Sequence, residues 1–297
     1  MYNKVRIVYV ILQANPYLFI MKRLVFFFTL TLLSLATYAT GYDGDIIYID
    51  GTKWELLGRP VYADTTLIRE LKAALPKDRI IMSSNWDGFT TYWSIQQEKL
   101  CLDSIQYELY DKATKKSWTE CIPSDTLLRM FRKYAEGNRI MAIWLTNNIR
   151  LAKGKQIWYQ HSYFERNYEN EQIISIAQGK VTGRQMYQNY VKDGFSFHRF
   201  TPKNNAELRE KFPLHIEQYP ELANAKRIMF RIKRARVDAQ GHLTECEVKV
   251  VPNDHPRLAA EMAKAMKAYH PWRVYYINGE YRAYGIEGYT FPYKLDD

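Results

Sequence analysis

Residues 227–250 read RIMFRIKRARVDAQGHLTECEVKV, and this stretch decides how the second half of the chain folds. Ile228, Phe230 and Ile232 alternate with polar neighbours, the period of a half-buried strand. The alternation then slips to Ala235 and Val237, with Lys233 and Arg234 adjacent, which predicts a β-bulge. Asp238-Ala239-Gln240-Gly241 reads as a tight turn. Beyond it, Cys246, Val248 and Val250 share one face of a second strand, while Glu245, Glu247 and Lys249 share the other. The hairpin therefore has one wet and one dry side, with Cys246 on the dry side as a buried, inert thiol.

The flanking residues extend this hairpin into a small α+β unit. A helix is expected from Pro256 to Tyr269, because proline suits a first helical position and Leu258, Ala259, Met262, Ala263 and Met266 form one apolar stripe. The methionines are read as core filler. Trp272, an Asn278-Gly279 hairpin and a closing strand from Tyr281 to Phe291 complete the run, with Tyr219-Pro220-Glu221-Leu222-Ala223 leading into it.

That order of markers resembles the C-terminal domain of TonB-type proteins. The matching positions are Tyr219 to Ala223, Asp238 to Gly241, Trp272, Gly279 and Phe291, covering roughly the last quarter of the chain. The resemblance implies a ββαββ module and a bacterial-envelope setting, with recognition of a partner protein or peptide by strand addition. A glycine expected before the first strand is missing, and no Pro-rich span precedes the module. On this reading Gly285 and Gly288 leave backbone accessible on the closing strand, and Arg282, Tyr284 and Ile286 share a partner-binding face. The competing reading is that this strand completes the sheet and Pro292 blunts its edge.

At 297 residues there is room for two domains, and 47% hydrophobic with 25% charged residues supports a true core. Residues 1–20 read as an upstream extension. Residues 21–39 read as a secretory signal peptide: Met21-Lys22-Arg23, an apolar run from Leu24 to Leu35, and a small-residue exit favouring cleavage after Ala39. The run is shorter than the ~20 residues a stable membrane span needs. A periplasmic or secreted location follows. Residues 1–39 hold Lys4, Arg6, Lys22 and Arg23 and no acid, so the formal +10 falls to about +6 after cleavage. With no nucleic-acid motif, that surplus is read as a solvated surface.

Residues 40–200 are expected to form an α+β domain built on an antiparallel sheet, ahead of the module at 201–297. Asp50-Gly51 predicts a type I′ hairpin, Thr65 to Leu75 a helix capped by Asp64 or Thr65, and Ser124 to Glu136 a second helix with Ser124 as N-cap and Gly137 as its stop. The Tyr92-Trp93-Ser94-Ile95 strand and the Gly154-Lys155 and Gly179-Lys180-Val181 turns resemble exported proteins of Bacteroidota, which implies no activity.

Catalytic signatures are missing: there is no GxSxG, HExxH, P-loop or dinucleotide glycine pattern, and no CxxC or HxxxH. No cofactor, metal or catalytic residue is therefore assigned. His198 follows Asp193-Gly194 and could act as a base, but no nucleophile can be tied to it. A disulfide, if formed, joins Cys101 and Cys121, both in the first domain. Asn85-Trp86-Asp87-Gly88-Phe89 is expected to be a plain turn with Trp86 packed into the core, the alternative being contact with a glycan or partner. Two functional classes stay open: an exported binding or adaptor protein, and a hydrolase of envelope polymers with a site in the first domain. Oligomeric state is left open.

Overall fold

The computed structural model describes residues 41–160, 162–197 and 205–295. Residues 1–40, which hold the expected extension and signal peptide, and His198 lie outside the described residues. The fold is α+β. β1 (Asp45–Ile49) and β2 (Thr52–Leu56) form the expected hairpin, with Asp50 and Gly51 at φ +49° and +76°. β3 (Thr90–Gln96), β4 (Lys99–Asp111) and β5 (Lys116–Cys121) form a meander, and β6 (Ala135–Glu136) and β7 (Arg139–Met141) a short ribbon beside β4. The long strands β8 (Asn147–Tyr159), β9 (Arg166–Ala177) and β10 (Lys180–Gln188) complete a ten-stranded sheet. Its spine runs β10-β9-β8-β2-β1-β3-β4-β7-β6, and a Lys180↔Lys99 bridge brings β10 back onto β4.

This sheet corrects the expectation of a purely antiparallel one. β1 and β3 are parallel, because the chain between them crosses over through α1 (Thr65–Ala74). α1 seals the curved sheet with Leu67, Ile68 and Leu71, and its N-cap is Asp64, whose carboxylate accepts from Thr66 N and Leu67 N at 3.0 Å each. α2 (Ser124–Met130) is shorter than expected. Ser124 is its first helical residue rather than its cap, Pro123 precedes it, and Gly137 at φ +62° turns the β6–β7 ribbon instead of stopping the helix.

The second half has its own core. β12 (Arg227–Val237) sits between β13 (Leu243–Val251) and β16 (Thr290–Lys294), with the anticipated bulge between Ile232 and Arg234. α4 (Pro256–Ala268) covers one face through Leu258, Ala259, Met262 and Met266, and Cys246 Sγ lies 3.9 Å from Met266 Sδ. Burial pushes the Cys246 thiol up to about 12. A separate three-stranded sheet contains β11 (Tyr190–Lys192), β14 (Val274–Ile277) and β15 (Glu280–Arg282), turned by Asn278 and Gly279 at positive φ. α3 (Asn205–Lys211) packs against β16. Residues 42–297 form one compact unit containing both cores.

Candidate functional site

The expected closing strand from Tyr281 to Phe291 is two strands in two sheets. β15 ends at Arg282, the chain turns through Gly285 and Gly288 at φ +74° and +76°, and β16 begins at Thr290. Left-handed backbone at both glycines cannot continue a strand. Arg282 is exposed, Tyr284 is half-buried and stacked on Trp158 with centroids 4.6 Å apart, and Ile286 is fully buried, so the three share no face. Gly285 O is occupied by Phe197 N at 3.1 Å. Arg282 thus ends β15, an edge strand of the separate three-stranded sheet, while Tyr284, Gly285, Ile286 and Gly288 lie in the turn between two sheets and form no continuous docking strand with it.

The true edges of the C-terminal sheet differ from each other. Leu295 N donates to Lys226 O and Ile232 N to Tyr289 O, which sets the alternation of the β12–β16 ladder. By that alternation Tyr293 and Phe291 direct their main-chain groups at β12, while Lys294, Pro292 and Thr290 direct theirs outward. Pro292 has no N–H, so the outer ladder of β16 is broken at its centre. On β13, Val251 and Lys249 face β12, and Val250, Val248 and Cys246 present outward N–H and C=O groups without a proline. No strand pairs with them among the described residues. Beside this intact ladder runs a groove of about 620 Å³ between Cys246–Lys249 and the small side chains Ala259, Ala260 and Ala263 of α4.

In the first half of the chain the distinctive group surrounds Asp87. Its carboxylate is contacted by Arg59 at 2.9 Å, Lys72 at 2.8 Å, Tyr42 OH at 2.6 Å and Tyr62 OH at 2.5 Å. Burial alone would raise the Asp87 carboxyl, but the hydrogen bonds from Lys72, Tyr42 and Tyr62 and the Arg59 charge together hold it below its ordinary value. Arg59 also donates to Asn85 Oδ1 at 2.8 Å, and Arg79 Nε to Asp87 O at 2.8 Å. Gly88 closes this turn at φ +65°, where a Cβ would stand 2.7 Å from Ile80 O, so no larger residue fits.

With Asn85 and Asp87 drawn inward, Trp86 is driven outward. It is 70% exposed, with its Nε1 donating to Ser83 O at 2.7 Å, which overturns the expectation of a core-packed tryptophan. Met82, Asn85 and Gly88 of the same turn line a cleft of about 220 Å³ formed with β3, β4 and β5. Nearby, Asp45 is fully buried and accepts from Thr91 N at 3.0 Å. Burial raises it to about 6, against the opposing charge of Arg59 and the hydrogen bonds of Thr91.

The three cysteines are free thiols. Cys121 pairs with Gln106 on β4, five residues along from Cys101, which separates the two by ~17 Å at strand rise. A bridge tolerates no more than about 7 Å, so the expected Cys101–Cys121 disulfide does not form. No helix among the described residues is long and apolar enough to cross a membrane. No protein-family profile, curated protein or solved structure matches the chain.

Proposed function

We propose that the chain is an exported binding or adaptor protein of a bacterial envelope, periplasmic or secreted. In this reading its C-terminal half is a TonB C-terminal-like ββαββ module that captures an extended segment of a partner protein as an added strand. The observation that carries it is the open outer ladder of β13 beside the alanine-lined groove. Main-chain hydrogen bonds to Val250, Val248 and Cys246 supply affinity, and the groove accepts alternate side chains of the incoming strand. Lys249, Lys264 and Lys267 line the same groove with Glu247 and Asp254, a small positive surplus that favours a mildly acidic segment. The hydrolase reading draws less support, because Asp45, raised to about 6, has no exposed surface from which to meet a substrate. Asp103, also raised by burial, accepts from Ser94 Oγ at 2.8 Å and does not line the cleft beneath the Trp86 turn.

Replacing Val248 with Pro removes one outward N–H and leaves the β12 pairing in place. The mature protein should capture its partner from an envelope extract, and Val248→Pro should reduce capture at least tenfold with an unchanged circular dichroism spectrum. Equal capture by both proteins would refute the β13 edge as the docking strand.

A further inference from the structure

The cleft beneath the Trp86 turn is a second and independent feature, and its lining defines a ligand chemistry. Tyr92 and Tyr107 supply aromatic wall, while Gln106, Thr119, Asp43 and Glu108 supply amide, hydroxyl and carboxylate groups. No Lys or Arg lines it. Neither Asp43 nor Glu108 forms an ion pair with a side chain among the described residues. At ~30 Å³ per water, about 220 Å³ is room for roughly seven waters, the scale of one sugar ring and well below a drug-sized pocket.

The geometry points to a binding site for a neutral oligosaccharide, one ring deep in this cleft, with Trp86 stacking on the ring that emerges from it. A pyranose presents apolar C–H faces and hydroxyls that both donate and accept. Flat aromatic rings meet the first requirement, and amides, hydroxyls and carboxylates meet the second. Anionic sugars are disfavoured, since their charge would be brought beside Asp43 and Glu108, no Lys or Arg lines the cleft, and the nearby Arg59 charge is already paired with Asp87. The platform is built before the ligand arrives. Trp86 is pinned by Ser83 O, Asn85 and Asp87 are locked to Arg59, and Gly88 admits no alternative side chain, so little ordering entropy remains to be lost on binding.

Isothermal titration of the full mature protein with cellohexaose, chitohexaose, trigalacturonate and tetralysine tests this. At least one neutral hexaose should give saturable heat, and Trp86→Ala should weaken it at least tenfold while leaving the melting temperature unchanged. Gln106→Ala should weaken the same ligand. Heat from trigalacturonate or tetralysine alone, equal affinity in Trp86→Ala, or no heat from any of the four would each overturn the assignment. Partner capture through β13 should persist in Trp86→Ala, so failure here is distinguishable from failure of the docking strand.

Discussion

Asp45 and Asp87 are both buried acids near Arg59, yet their surroundings move them in opposite directions. Asp87 collects donors, and its net shift is downward although burial opposes it. Asp45 accepts at Oδ1 from Thr91 N while Oδ2 has no partner among the described residues, so burial dominates and lifts it to about 6. The sign for stability follows from linkage. A carboxyl whose folded pKa is raised favours folding below its unfolded pKa, and that contribution disappears as pH rises through about 6. At pH 7.5 the ionised Asp45 is therefore a net cost. At 1.36 kcal/mol per pKa unit it is on the order of 3 kcal/mol. Asp45→Asn keeps an acceptor for Thr91 N, and should stabilise the protein by on the order of 2–3 kcal/mol at pH 7.5 in urea unfolding. The gain should shrink at pH 4.5. A gain that is equal at both values, or a loss, would show that Asp45 is held in its charged form by something stronger than Arg59.

At the scale of elements, α1 illustrates how a local signal becomes a tertiary one. Asp64 caps its first turn, and the same carboxylate accepts from Tyr134 OH and pairs with Lys133 at 3.2 Å, joining the helix to the segment after α2. The hydrogen bond from Tyr134 and that from Leu67 N lower the Asp64 carboxyl to about 2. Removing the cap with Asp64→Ala should cost about 1–2 kcal/mol, read as a lower melting temperature at pH 7, and the difference from wild type should fade as pH approaches 2. The cap was narrowed in the sequence to Asp64 or Thr65, and the limits of β12, the Asn278-Gly279 turn and the apolar stripe of α4 were legible, because each depends on neighbours a few residues away. The break between β15 and β16 was not. Alternation between Tyr281 and Phe291 reports which way side chains point, but the two glycines decide that the chain turns, and glycine alone does not reveal the sign of its φ. Trp86 was misread for a related reason. What expels it is the inward pull on Asn85 and Asp87 from Arg59, 26 and 28 residues away in sequence.

For the molecule as a whole, the question is where one half stops. Two cores lie within a single compact unit, and the junction between them joins an aromatic cluster, Trp158 of β8 against Tyr275 and Tyr284, to specific polar contacts. Glu171 of β9 is buried and accepts from Asn167 Nδ2, Tyr168 N and Asn278 Nδ2 at 2.9–3.0 Å, the last from the β14–β15 turn. Asn189, between β10 and β11, accepts from Asn278 N at 2.8 Å and donates to Tyr168 O at 2.8 Å. A sequence boundary near residue 200 was suggested by the polar run after it, but the contacts of the preceding residues belong to the second core. β11 pairs with β14, Phe195 packs against Trp272, and Phe197 is fully buried and stacks on Phe291 with centroids 4.3 Å apart. A fragment starting at residue 201 would lose one strand of a three-stranded sheet and the ring that fills the space beside Phe291, at about 3–5 kcal/mol for a phenylalanine of that burial. That loss is a large fraction of the stability of a domain of this size. Fragment 189–297 should therefore unfold in one cooperative transition with dispersed amide resonances, and fragment 201–297 should show neither. If 201–297 folds as well as 189–297, the second core is self-sufficient, and β11 with the two phenylalanines that follow it is only an accessory strap to it.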